Sequence, residues 1–175
     1  GPAPLDPTLD DDAMAATHAL RERFTGALLG LAAGDALAAA TQFRKPGSFT
    51  PVGDLLGGGP FELPRGAWSD DTAMALCVAD SLLERGEFDP VDQIERFIRW
   101  QREGYLSATG QCVGITGGVT RALGTAGWRR QRFPGSHDPA QLDPEVLTRV
   151  APVVLHYFNE PGAAIERAAD AARTT

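Results

Sequence analysis

Apolar residues recur at helical spacing along most of this chain, and no segment alternates apolar and polar residues as a half-buried strand would. Start and stop signals delimit about six helices. They are predicted over 13–40, from Ser69 to near Gly86, from Asp89 to near Gly104, from about Thr116, from Asp143 with an interruption at Pro152, and from Glu160. Two stretches rich in glycine, proline and hydroxyl residues, 41–67 and 105–118, predict long loops. The pattern therefore predicts an all-α fold.

The helix predicted over 13–40 has one face that combines apolar residues with a carboxylate: Phe24, Leu28, Leu31 and Asp35. Because these positions follow the helical repeat, Asp35 is expected to be buried or to face a site. The same helix repeats glycine every four residues, at Gly26, Gly30 and Gly34. A glycine inside a helix costs about 1 kcal/mol relative to alanine, so the repeat predicts close helix–helix contact. A membrane span is the rival interpretation, and Asp35 argues against it because an intramembrane carboxylate is costly.

The stretch GAWSDDTAM at residues 66–74 places three oxygen-bearing side chains, Ser69, Asp70 and Asp71, where an apolar helix begins. One interpretation is a capped helix, because serine is a favoured N-cap and the helix dipole favours carboxylates in the first turn. The other is a metal site, because hard cations such as Mg²⁺ bind several oxygen ligands. Spacing alone leaves both open.

The loop that precedes the helix at Thr116 holds five residues that we single out as candidate phosphate or ribose contacts: Gly110, Gly114, Thr116, Gly117 and Gly118. Backbone N–H groups at such a junction bind phosphate, and glycine lets a ligand approach the main chain. The alternative is a simple connector between two helix ends.

Composition narrows the classes of function. The 175 residues, 43% of them hydrophobic, suffice for one core. A net charge of −7, with 23 acidic and 16 basic residues, argues against a nucleic-acid or anionic-membrane surface. Cys77 and Cys112 lack metal-ligand spacing. They are predicted to be buried packing residues in a reducing cytoplasm rather than disulfide partners or nucleophiles. Residues 1–12 are predicted to be a disordered lead-in that opens on a cleavage scar, and residues 13–175 to be the folded part.

Several stretches together resemble the ADP-ribosylglycohydrolase family, which includes the dinitrogenase-reductase-activating glycohydrolases. FTGALLGLAAGDAL at 24–37 resembles that family's opening helix, and GAWSDDTAM at 66–74 resembles its first metal-binding motif. The segments 107–123 and 149–153 follow the family's order and approximate spacing. The resemblance implies an orthogonal multi-helix bundle, of which this chain would be the N-terminal part.

The resemblance also implies a function: a Mg²⁺-dependent hydrolase that releases ADP-ribose from a modified protein side chain, arginine first, or from a related small substrate. Asp70 and Asp71 would carry the catalysis and, with Ser69, bind metal, while the loop from Gly110 to Gly118 would hold the diphosphate and adjacent ribose. The family uses two Mg²⁺ ions, and its second acidic motif has no counterpart in this sequence, which ends within a predicted apolar helix. A C-terminal segment or a second chain is therefore expected to complete the site. The alternative is a non-catalytic relative that binds ADP-ribose or a toxin, as an immunity or regulatory protein would.

Two departures from the family pattern bear on activity. Gln42 stands where the family usually carries a glutamate, and an amide cannot take up a proton as a base. Asp143-Pro144-Glu145 stands where many members have a Gly-Asn-Gly turn. Both changes are expected to affect turnover rather than the fold.

Overall fold

The computed structural model describes residues 7–129, 131–138, 140 and 144–175, and of residues 7–10, 128 and 129 it describes the backbone. Six α-helices and two short 3-10 helices make up its regular structure. In chain order they are α1 (Pro7–Ala38), η1 (Ala39–Thr41), α2 (Asp70–Arg85), α3 (Pro90–Glu103), α4 (Gly117–Arg129), η2 (Pro144–Arg149), α5 (Val150–His156) and α6 (Pro161–Ala171). Over the described residues the all-α prediction is confirmed, since the single β-feature there is an isolated bridge between Gly58 and Leu63.

The first helix differs from its prediction in two ways. α1 begins at Pro7, so residues 7–12 are helical rather than disordered, because proline is favoured at a helix start and carboxylates suit its first turns. Residues 1–6 lie outside the described residues. The contact predicted from the glycine repeat is wrong, because a Cβ built on Gly26, Gly30 or Gly34 would meet nothing within 4 Å. The assignment of 13–175 to one part of a larger domain stays a prediction.

One segment, Asp11–Thr41, is long and apolar enough to cross a membrane, with a mean hydropathy of 1.4 and 11% of its most apolar window buried. Side chains of α1 nevertheless contact the rest of the chain. Phe24 packs edge-on against Phe158, with ring centroids 5.1 Å apart, and Asp35 hydrogen-bonds to the start of α2. That the helix lies outside a membrane stays a prediction.

The core forms around α2, which packs against α3, α5 and η2. Phe97 and Trp100 of α3 and Met74 and Val78 of α2 are fully buried at its centre. α2 ends where predicted, since Gly86 adopts a left-handed conformation and its N–H bonds to the Leu82 carbonyl. Burial of most of the first turns of α2 places that end of the helix under the loops that lead to it.

The C-terminal helices depart from the sequence pattern. Pro152 lies in the first turn of α5 rather than interrupting a helix, because the N–H groups of a first turn have no intrahelical partner to lose. α6 ends at Ala171, so the expectation that the sequence stops inside a helix is wrong. Asp143 lies outside the described residues, and η2 begins at Pro144.

Both predicted loops are irregular in the structure. In the first, Gly59 adopts a left-handed conformation, and a Cβ there would lie 1.8 Å from the Ala39 carbonyl oxygen. The two loops meet next to α2, where the indole N–H of Trp68 donates to the Leu106 carbonyl at 3.2 Å. This bond holds the loop before α2 to the loop after α3.

Candidate functional site

The start of α2 is held by Asp35, which reaches it from α1. Its carboxylate accepts four hydrogen bonds, two from backbone N–H groups and two from hydroxyls. The donors are the N–H and Oγ of Ser69, at 2.9 and 2.6 Å, and the N–H and Oγ1 of Thr72, at 3.1 and 2.7 Å. Asp35 is half-buried and meets the stretch singled out at residues 66–74, and that this stretch is a site stays a prediction.

Asp70 follows at the first helical position and is 6% exposed. Burial, together with the neighbouring negative charge of Asp71 and that of Glu145, raises the pKa of Asp70 to about 7. The capping interpretation fails for Ser69, whose side chain makes no cap hydrogen bond. A buried carboxylate beside two other carboxylates is a poor cap but a suitable partner for a cation.

Gly114 brings the second loop against this carboxylate. Its φ is +82°, and a Cβ there would lie 2.3 Å from Asp70 Oδ1. No side chain fits at that position while Asp70 keeps its place. The loop predicted to contact substrate therefore runs directly over the predicted metal ligand.

The other four predicted substrate-binding residues lie along the same loop. Thr116 caps α4 by accepting from the Val119 N–H at 3.2 Å and donates its hydroxyl to Glu145 at 2.8 Å. Gly117 and Gly118 are exposed in the first turn of α4. Gly110 lies at the other end of the loop, where its carbonyl oxygen would be 2.1 Å from a Cβ on Gly104. The structure thus groups Gly114 with Asp70 and Thr116 with Glu145, and it gives Gly110 a place at the end of α3.

A cavity of about 1060 Å³ adjoins this group and is lined by residues of α4, of the segment 134–147 and of the C-terminal end. Gly118 and Glu145 are among its lining residues, whereas Asp70 and Asp71 are not. The buried charge of the carboxylate group, rather than the volume of the cavity, defines the candidate site for chemistry.

The residues present suit a hard cation. Asp70 and Asp71 offer carboxylate oxygens, and the Ser69 hydroxyl keeps its lone pairs because its proton is donated to Asp35. Oxygen ligands of this kind are those that Mg²⁺ prefers. Within the described residues, no three His, Cys, Asp or Glu side chains are grouped closely enough to hold a metal ion by themselves.

Sequence reasoning missed two members of this site. Thr72 lies three residues after Ser69 and shares its acceptor, a spacing that places both on one side of the first turn. Glu145 was noted only as a departure in a turn, and nothing in the sequence signals that it reaches Thr116 from a segment distant along the chain. Both cysteines are free, Cys77 buried and Cys112 half-buried, and burial raises the pKa of Cys77 to about 12 and of Cys112 to about 11. The prediction of a buried residue is confirmed for Cys77, and the reducing cytoplasm stays a prediction.

Fold and site together define a helical domain with an acidic centre covered by a glycine-rich loop. The sequence profile of the ADP-ribosylglycohydrolase family matches residues 16–175. The chain belongs to that family.

Its relatives include an ADP-ribosylarginine hydrolase, Tri1, from Pseudomonas putida (strain GB-1), 40% identical over 136 residues that cover 77% of this chain and 36% of the relative. The protein of the same name from Serratia proteamaculans (strain 568) is 37% identical over 131 residues, which cover 75% of this chain and 36% of the relative. A solved structure described as an ADP-ribosylglycohydrolase-related protein complex matches with a TM-score of 0.76 and 44% identity, covering 89% of this chain and 50% of that one. The chain thus spans about a third of the length of these two curated relatives.

Replacing Gly114 by alanine tests the contact between loop and carboxylate. We expect Gly114→Ala to displace Asp70 and weaken Mg²⁺ binding by the full-length protein at least tenfold, on the order of the effect of moving a ligand. The backbone strain of a left-handed non-glycine residue adds about 1–3 kcal/mol of destabilisation. Calorimetric titration with Mg²⁺ and urea unfolding measure the two effects.

Gly110→Ala is the matched control. Gly110 has a φ of +75° but no atom within 4 Å of its Cβ position, so the variant carries the same backbone strain without the collision. Equal Mg²⁺ affinity in the two variants would contradict the assignment of Gly114 to the site.

Proposed function

We propose that this chain forms part of a Mg²⁺-dependent hydrolase that releases ADP-ribose from an ADP-ribosylated protein, with modified arginine as the first substrate to test. The observation that carries the proposal is the buried Asp70 carboxylate, placed between Asp71, Glu145 and the backbone of Gly114. Family membership and two relatives that are ADP-ribosylarginine hydrolases support the reaction class.

Different residues of this chain would bind the metal and the substrate. Asp70 and Asp71 hold the metal through their carboxylates, and Ser69 adds its hydroxyl oxygen. Mg²⁺, when bound, would orient the ribose hydroxyls and activate a water for attack at the anomeric carbon. The exposed N–H groups at Gly117 and Gly118 have no intrahelical partner and suit a diphosphate. We further propose that two ions bind and that residues outside this sequence supply the remaining ligands, since each Mg²⁺ takes about six.

Arginine is the first acceptor to test because two relatives of the chain are ADP-ribosylarginine hydrolases.

The experiment is release of free ADP-ribose from an arginine-modified protein by the full-length protein, followed by chromatography with Mg²⁺ and with a chelator. We expect release that depends on Mg²⁺ and that Asp70→Asn abolishes. Binding of ADP-ribose without any release would support the other candidate, a non-catalytic binding protein, which the amide at Gln42 favours.

Gln42 offers a separate test of turnover. It follows η1 directly and is half-buried, and the family pattern expects a carboxylate there. We expect Gln42→Glu to raise kcat on the arginine-linked substrate toward the 10²–10⁴-fold range that general acid–base catalysis contributes. Gln101→Glu, a half-buried glutamine in α3, is the control. A kcat no higher than that of the control under saturating Mg²⁺ would mean that position 42 supplies no proton transfer.

A further inference from the structure

The first turn of α2 is capped by a residue from another helix. In a helix that begins with serine, the serine side-chain oxygen ordinarily accepts the N–H two or three residues on. Here the Thr72 N–H donates to Asp35 at 3.1 Å, and Ser69 makes no side-chain cap. Asp35, rather than Ser69, therefore caps α2.

That transfer determines what the Ser69 hydroxyl can do. A hydroxyl has one proton to donate and two lone pairs with which to accept or coordinate. The proton is donated to Asp35 Oδ1 at 2.6 Å, and the same carboxylate also binds the Ser69 N–H. The Ser69 side chain also lies close enough to the Asp70 carboxylate to hydrogen-bond to it, and the short bond to Asp35 directs the single proton away from Asp70. A cation beside Asp70 would then meet the lone pairs of the Ser69 oxygen.

We infer that Asp35 is a positioning residue for the cation site: it fixes the proton of the Ser69 hydroxyl so that this oxygen coordinates the ion held by Asp70 and Asp71. The inference rests on the proposed Mg²⁺ binding. Asp35 acts through Ser69 and Thr72. Residues that hydrogen-bond to metal ligands fix the orientation of those ligands and raise their basicity. Loss of one such residue typically lowers metal affinity about 10–100-fold.

A second aspartate of the same chain caps a helix through backbone N–H groups and also forms an ion pair, 3.8 Å from Arg85. Asp89 precedes α3, and its Oδ1 accepts from the N–H groups of Val91 and Asp92, both at 3.1 Å. It binds no hydroxyl there, whereas two of the four bonds to Asp35 come from hydroxyls. Asp89 therefore offers a capping aspartate against which Asp35 can be compared.

The experiment is calorimetric titration of the full-length protein with Mg²⁺ in three variants. Asp35→Asn keeps the shape of the side chain but replaces an acceptor oxygen by an N–H₂ donor. The amide N–H₂ group donates to the Ser69 or Thr72 oxygen. The hydroxyl hydrogen of that residue loses its acceptor and turns toward the metal. We expect the affinity for Mg²⁺ to fall about 10–100-fold. Asp89→Asn should leave the affinity unchanged, because asparagine caps as well as aspartate.

Ser69→Ala and the double variant with Asp35→Asn test whether Asp35 acts through Ser69. If Asp35 acts through Ser69, Ser69→Ala lowers the affinity by a similar factor, and adding Asp35→Asn to it lowers the affinity much less than the product of the two effects. A purely structural role for Asp35 would change urea unfolding in both backgrounds and leave Mg²⁺ affinity alone.

The outcomes separate the inference from the proposed function. Failure of the unaltered protein to bind Mg²⁺ overturns both. Binding by the unaltered protein with equal affinity in Asp35→Asn overturns the inference and leaves the proposed function standing. Should Asp35→Asn not fold, Ser69→Ala still decides, because wild-type affinity in that variant means that its hydroxyl is not a ligand.

Discussion

Asp70→Asn is expected to stabilise the metal-free protein at pH 8 while abolishing its stabilisation by Mg²⁺. Burial raises the pKa of Asp70 from 3.8 to about 7, so the folded state favours the protonated carboxyl. The stability from this group is complete below pH 3.8 and is lost as the pH rises through about 7. A shift of about three units corresponds to about 4 kcal/mol, which is the upper limit of the gain from removing the charge.

Urea unfolding at pH 5 and pH 8 in the presence of a chelator measures this effect. The difference between the variant and the unaltered protein should be smaller at pH 5 than at pH 8, where it is largest. Adding Mg²⁺ should then stabilise the unaltered protein, since a ligand that binds the folded state raises its stability by mass action. Asp12→Asn, at an exposed carboxylate of α1, is the control. A variant that is less stable than the unaltered protein at pH 8 would contradict the burial of an unneutralised charge at Asp70.

Arg96→Met is expected to destabilise the fold by about 3–5 kcal/mol, the usual effect of removing one partner from a buried ion pair. The Arg96 side chain is 7% exposed and bonds to Asp92 and Glu84, both at 2.7 Å, and also to Asp80. Tyr105 donates to Asp80 as well. Methionine of similar length fills the space but leaves Asp92, whose side chain is 9% exposed, without its buried partner.

The matched control is Arg85→Met. Arg85 also pairs with Asp92, at 2.9 Å, but its side chain is 52% exposed, so its removal should lower the free energy of unfolding by less than about 1 kcal/mol. Urea unfolding of both variants gives the comparison. Equal effects would mean that the buried cluster between α2 and α3 contributes no more than a surface pair.

Local signals in the sequence predicted much of the helical framework. The end of α2 follows from the left-handed Gly86. Its start was located correctly by Ser69, a favoured N-cap residue type, although that side chain makes no cap hydrogen bond. The orientation of Asp35 followed from helical periodicity, because an apolar stripe fixes which residues face inward. Each of these signals lies within a single helix or at its end.

The contacts of the site needed tertiary structure. Periodicity placed Asp35 on an inner face but could not show that it would bind Ser69 and Thr72 from another helix. Glu145 reaches Thr116 across a distance in sequence that no local pattern encodes. The helix–helix contact predicted from the glycine repeat of α1 was wrong for the same reason. Small residues permit close packing, but they do not determine whether a second helix lies against them.

The loop between η1 and α2 divides into two parts with different freedom to change length. Residues 43–56 are mostly exposed, so an insertion there costs chiefly loop-closure entropy, about 0.6 kcal/mol for each doubling of length. From Gly59, which packs on the Ala39 carbonyl, to Trp68, which is tied to Leu106, an added residue would shift Ser69 away from Asp35. Insertions and deletions among relatives should therefore collect in the first part, where new contacts to a protein substrate can evolve without disturbing the carboxylates.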